Sequence, residues 1–211
     1  MQENKSLNIG IISIPLGHAA VDWFFAGFWI LLPFISEELA LNELQVASII
    51  TVRTLFSALV YLPSGALGGM VSRRTLYAGF TVCWVLIGYF FASHAPTFIT
   101  LVIAVTIAET GAVLWHPFGL SSITKILTHR KGLGTALFNA GGSIAEVGSP
   151  ALMSYLIREN SSVSLPGIST TTWRTVIRFN GIVVALFGLI VLWTSLILFK
   201  NTTIKTSKSL H

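Results

Sequence analysis

IGIISIPLGHAAVDWFFAGFWILLPFI, residues 9–35, is the stretch whose reading decides the fold. Along it only Asp22 carries a formal charge, and His18 is the other titratable side chain. A helix that crosses a bilayer needs roughly 20 apolar residues, so this run is long enough to span. It is too long for the apolar core of a signal peptide, and no small-residue cleavage site closes it, so it reads as an uncleaved first helix. The rest of the chain repeats the texture. Further apolar runs occupy about 45–71, 75–93, 96–123, 132–157 and 175–199, parted by polar or turn-forming links. They are too long and too evenly apolar for barrel strands of about 10 residues. The expected fold is therefore all-α: a polytopic membrane protein whose residues 1–211 form a single six-helix transmembrane domain.

The bulk numbers agree. Of 211 residues 53% are hydrophobic and 10% charged, with mean hydropathy +0.78, where soluble domains carry about 25% charge. A soluble enzyme, a disordered chain and a coiled coil are excluded. The net charge of +5 fits basic residues gathered in cytoplasmic links better than a nucleic-acid partner. Cys83 is the lone cysteine, so no intrachain disulfide is possible.

Lys5, Arg73, Arg74, Lys125, Arg130, Lys131, Lys200, Lys205 and Lys208 fall on the side of the N-terminus, while Arg158 and Arg174 fall on the other. That bias places both termini in the cytoplasm, in agreement with an even number of spans, and the plasma membrane is the expected location. Small residues recur at helical spacing as Gly141, Ala145, Gly148 and as Gly181, Ala185, Gly188. Such stripes let backbones approach closely, within the bundle or against a second copy.

Ionisable groups inside apolar runs are the informative residues, because each costs a few kcal/mol or more at the bilayer centre unless it meets a partner or a wet cavity. His18 and Asp22, four apart, share a face of the first helix, and Glu109 and His116, two turns apart, share a face of the fourth. Asp22 and Glu109 fall near the midplane, which suits carboxylates that exchange protons or face a substrate. The histidines fit that role or simple satisfaction by a carbonyl. At about 1.5 Å per residue, Arg53 lies roughly 12 Å below the outer surface and Glu146 a few ångströms deeper. The two are expected to pair if the second and fifth helices approach each other, or to contact substrate. His18 and Asp22 alone do not make a metal site, and no Cys/His cluster supports them, so no metal and no cofactor are expected. No phosphate-binding GxxxxGK[ST], HExxH or GxSxG motif occurs, so enzyme chemistry and ATP-driven pumping lack their machinery.

At the cytoplasmic end of the second helix stands PSGALGGMVSRR, residues 63–74. It resembles the G-x-L-x-D-R-x-G-R-R loop of the major facilitator superfamily. Gly65, Leu67, Arg73 and Arg74 match; Gly69 replaces the acid, Met70 the next basic residue and Ser72 the second glycine. RKGLG at 130–134, NAGGS at 139–143 and GSP at 148–150 are similar to the fourth loop and fifth helix of such transporters. Gly17-His18 with Asp22, and Trp115-His116-Pro117, look like features of the small-drug efflux branch that includes fosmidomycin-resistance transporters. The resemblance implies half of a transporter fold, a 3+3 inverted repeat, that needs a second six-helix half. That half would be an identical copy or a separate chain. It further implies alternating-access transport of a small solute; the ionisable groups within the spans add the expectation of proton coupling, with His18, Asp22, Arg53, Glu109, His116 and Glu146 facing substrate or protons. Gly65, Gly69, Arg73 and Arg74 would form a cytoplasmic gate loop. The missing acid at Gly69 supports an alternative: a non-transporting membrane subunit, or a truncated half, that serves as an assembly or binding partner.

Overall fold

The computed structural model describes residues 2–70, 74–157 and 172–208, with side chains over 11–66, 77, 79–157 and 172–194. Six helices follow one another: α1 Gln2–Glu38, α2 Glu43–Met70, α3 Arg74–Ala92, α4 Phe98–Ile126, α5 Lys131–Ile157 and α6 Trp173–Lys208. No strand occurs among the described residues. Helix is what a bilayer demands, since no water is available to satisfy free backbone groups. Four helices (α1, α2, α4 and α6) are long and apolar enough to cross a membrane. The apolar described part of α3, Gly79–Ala92, is shorter, and α5 is diluted by glycines, serines and Glu146.

Helix ends follow local chemistry. The α1 terminus is tied by Ala40 N–H donating to the Glu37 carbonyl and Leu41 N–H to the Ser36 carbonyl, the paired bonds that close a helix on a left-handed residue. Ala40 holds that position at φ 49°. At α4 the Thr97 hydroxyl accepts from Thr100 N–H while the Thr100 hydroxyl accepts from Thr97 N–H, a reciprocal cap that satisfies two orphan donors.

Helix neighbours follow a symmetric plan. α1 packs on α5, as α4 does on α2; α3 packs on α4, as α6 does on α1; α3·α6 and α1·α4 are further contacts. Exchanging α1–α3 with α4–α6 maps these main contacts onto one another, the arrangement expected of an internal three-helix repeat and of half a major-facilitator-type fold, while the lesser contacts α4·α5, α1·α3 and α5·α6 have no counterpart of similar size. Trp115, Trp173, Phe24, Phe28, Leu31 and Met153 fill the interior. Leu62, Phe80, Ile182 and Trp193 point outward and are exposed, which lipid tolerates and water does not.

The first small-residue stripe packs inside the bundle, whereas in the second only Gly188 is buried and Gly181 and Ala185 are half-buried. A Cβ on Gly141 would strike the Pro15 carbonyl of α1, Ala145 is fully buried, and Gly148 faces Trp23. Gly188 faces Val82 of α3. A polar lock adds to α1: Trp23 Nε1 donates to Asn180 Oδ1 of α6 (2.7 Å), and the Ser149 hydroxyl of α5 donates to the Trp23 carbonyl.

Candidate functional site

A cavity of about 360 Å³ opens between α1, α2, α4 and α5. Asp22, Arg53, Glu109, His116 and Glu146 all line it, together with Ser57, Tyr61, Phe25 and Trp29. His18 stands behind Asp22, nearly buried. Side chains spread over more than 120 positions of sequence thus converge, because each sits on the inward face of a helix that borders the same space.

The first cluster centres on Arg53. Its Nε donates to Glu109 Oε2 at 2.8 Å, and the Ser57 hydroxyl donates to Glu109 Oε1 at 3.1 Å. The guanidinium lies 4.0 Å from the Phe25 ring centroid and 5.5 Å from that of Trp29, where the ring faces attract a cation. Nη1 and Nη2 of Arg53 are buried without a hydrogen-bond partner. This corrects the expected Arg53–Glu146 pair. α2 rests on α4 while α5 packs on α1, so the nearest carboxylate to Arg53 comes from α4 and Glu146 stays exposed at the cavity wall. Similar depth along two helices does not fix which way each is turned.

The second cluster joins α1 to α4. Asp22 Oδ2 lies 3.0 Å from His18 Nε2, and Oδ1 lies 3.7 Å from His116 Nε2. Each imidazole is held from behind: His18 Nδ1 is 2.6 Å from the Phe138 carbonyl and His116 Nδ1 is 2.7 Å from the Ala112 carbonyl. A carbonyl oxygen only accepts, so both Nδ1 atoms carry hydrogen and donate. Both Nε2 atoms therefore point at one carboxylate. The His18 ring also stacks on Phe138, centroids 3.9 Å apart. Gly142 leaves the cluster its room, since a Cβ there would come within 3.0–3.2 Å of His18 Cε1, Asp22 Oδ2 and His18 Nε2. The expectation of no metal site considered only His18 and Asp22; the fold supplies His116 as a third donor, all three ligand atoms lying within 4.8 Å of one another.

The gate residues stand apart. α2 continues as helix through Gly65 and Gly69 to Met70, so these glycines belong to the helix end and not to a loop. Nothing lies within 4 Å of a Cβ placed on Gly65. Arg73 falls outside the described residues, as does the side chain of Arg74, the first residue of α3. At the opposite end Arg174 binds Glu38 Oε1 (2.8 Å) and the carbonyls of Ser93 and Ala95, fastening α6 to α1 and to the α3–α4 link. Sequence reading missed Ser57 and Tyr61, which lie one and two turns beyond Arg53 on its own face; that spacing was the available signal.

A family model described as Major Facilitator Superfamily matches residues 16–209. No curated protein matches the chain.

Proposed function

The chain belongs to the major facilitator superfamily, whose members move solutes across membranes, and on that premise we propose that it is a proton-coupled secondary transporter of a small solute working by alternating access. The observation that carries this reading is the cavity: carboxylates Asp22, Glu109 and Glu146, Arg53 and His116 face one space inside a membrane bundle. Groups of that kind are tolerated at depth where they border a water-filled path. Asp22 accepts and releases the proton, His18 and His116 bracket it, and Arg53–Glu109 holds α2 to α4.

The six helices act with a second six-helix half. Support comes from the open side of the cavity. Glu146 is exposed there beside Ile144 and Val147 of α5, and a carboxylate against acyl chains is costly unless another bundle covers it. Lys and Arg placement supports cytoplasmic termini, and the plasma membrane is the location proposed with them. Within the superfamily, the runs similar to the small-drug efflux branch are those that contribute His18, Asp22 and His116, which supports an efflux role.

The test is uptake of a panel of labelled small solutes into liposomes, with and without an imposed pH gradient. Gradient-dependent flux that Asp22→Asn abolishes supports the proposal. A confirmed dimer that is no faster than empty liposomes overturns it. Gly69, where the family pattern has an acid, favours the second reading of a non-transporting subunit, which predicts a stable complex with a different polypeptide and no flux.

A further inference from the structure

We propose that His18, Asp22 and His116 bind a divalent transition-metal cation of the Zn²⁺ class, held by two imidazole Nε2 atoms and one carboxylate and open to the cavity on its remaining side. The donor set comes first. Two nitrogens and one oxygen suit Zn²⁺ and its borderline neighbours; hard Mg²⁺ and Ca²⁺ prefer all-oxygen shells, and soft Cu⁺ prefers sulfur. The sole cysteine, Cys83, sits on α3, which does not line the cavity.

The spacing of the three donors also fits. Zn²⁺ ligands at about 2.0–2.2 Å from the metal stand a little over 3 Å from each other in a tetrahedron. Here His18 Nε2 lies 3.0 Å from Asp22 Oδ2 and His116 Nε2 lies 3.7 Å from Asp22 Oδ1, and with one ligand atom taken from each residue the three lie within 4.8 Å of one another. Small side-chain rotations close that set around one ion.

Their orientation fits most closely. Metal-bound histidines regularly donate their other ring N–H to a carbonyl or carboxylate, which fixes the tautomer and aims the lone pair. Both histidines do so here, to Phe138 and Ala112. Two lone pairs and a carboxylate directed at one point call for a positive charge between them, which protons or one metal cation supply in competition.

Charge agrees. Arg53 and Glu109 neutralise one another, so the formal charge left facing the cavity is that of Asp22 and Glu146. A divalent ion balances those two carboxylates. With three protein donors the coordination shell stays incomplete, so water or a carried ligand can take the remaining position, as at zinc sites that keep an open position.

This inference rests on the reading of the cavity as the working site, but its test does not involve transport. Purified full-length protein in detergent is titrated with Zn²⁺ by calorimetry, and Zn²⁺ X-ray absorption is recorded on the loaded sample. The expected result is one saturable site whose spectrum shows two imidazoles. His116→Gln, His18→Gln and Asp22→Asn each weaken binding by roughly 10–100-fold or more, whereas His94→Gln, far from the cluster in sequence and fold, leaves it unchanged. Thermal melting without metal identifies any variant that fails to fold, and the wild-type absorption spectrum keeps the test decisive in that case. No saturable binding, a spectrum without imidazoles, or equal affinity in well-folded His116→Gln overturns the proposal. Zn²⁺ binding without flux would retain this site and reject the transporter reading; flux without Zn²⁺ binding would do the reverse.

Discussion

Arg53 shows what a single buried charge asks of its surroundings. Glu109, Ser57 and the faces of Phe25 and Trp29 answer it together. Removing one member of a buried pair leaves the other uncompensated, which costs about 3–5 kcal/mol, whereas replacing both by apolar groups of similar volume is often close to neutral. Arg53→Ala and Glu109→Ala are therefore expected to melt well below wild type in detergent, with the Arg53→Met/Glu109→Leu double variant above either single one. A double variant that loses the sum of both singles would mean that the pair does not couple. Gly142 gives the second prediction at this scale. Its substitution by valine directs branched carbon at His18 and Asp22, and gradient-driven uptake should fall at least tenfold while helix content by circular dichroism is retained. The sequence exposed these groups through their cost in lipid, and the i, i+4 and i, i+7 spacings placed His18 with Asp22 and Glu109 with His116 on shared faces. Which helix answers Arg53 was not legible, because rise along an axis is read from spacing and rotation about it is set by packing.

Among elements, the contact between α1 and α5 is the most demanding. Gly141 lies against the Pro15 carbonyl, so a side chain there meets backbone and not a movable tip. Overpacking costs typically 1–3 kcal/mol, and Gly141→Leu is expected to lower the melting temperature accordingly. Gly132 has nothing within 4 Å of its would-be Cβ and lies in the first turn of α5, so Gly132→Ala should leave stability unchanged or slightly raised. Equal melting temperatures for the two variants would remove the close-packing argument. Ala40 offers a gain of a different kind: at φ 49° it closes α1 in the left-handed region, which costs an L side chain roughly 1–2 kcal/mol. Ala40→Gly is expected to stabilise by up to about that amount. Stripes of small residues were visible in the sequence as a spacing, and the fold shows which members meet a neighbouring helix: Gly141 and Gly188 do so closely, while Gly181 and Ala185 stay half-buried. Ala40 left no signal at all, since the usual residue at such a helix end is glycine.

Across the whole molecule, basic residues are shared unequally between the two ends of the bundle. The helical order and the contact plan put the α1–α2 and α3–α4 links at one end, joined by Arg174, Glu38, Ser93 and Ala95, and the α4–α5 link at the other. Arg174 is paired with Glu38, so its charge is largely cancelled, while Lys125, Arg130 and Lys131 cluster around the opposite link. Basic links are retained in the cytoplasm, so the α4–α5 end is the one expected on the cytoplasmic side. The single cysteine makes the orientation directly testable. In a Cys83→Ser background, Glu37→Cys and Thr128→Cys place thiols on exposed positions at the two ends of the bundle. A membrane-impermeant maleimide applied to intact cells should label Glu37→Cys and leave Thr128→Cys unmodified until the membrane is opened. Labelling in the reverse order would turn the molecule over and bring its termini outside. Equal labelling of both in sealed cells would break the link between helix count and sidedness, because helices that span must carry these two positions to different faces.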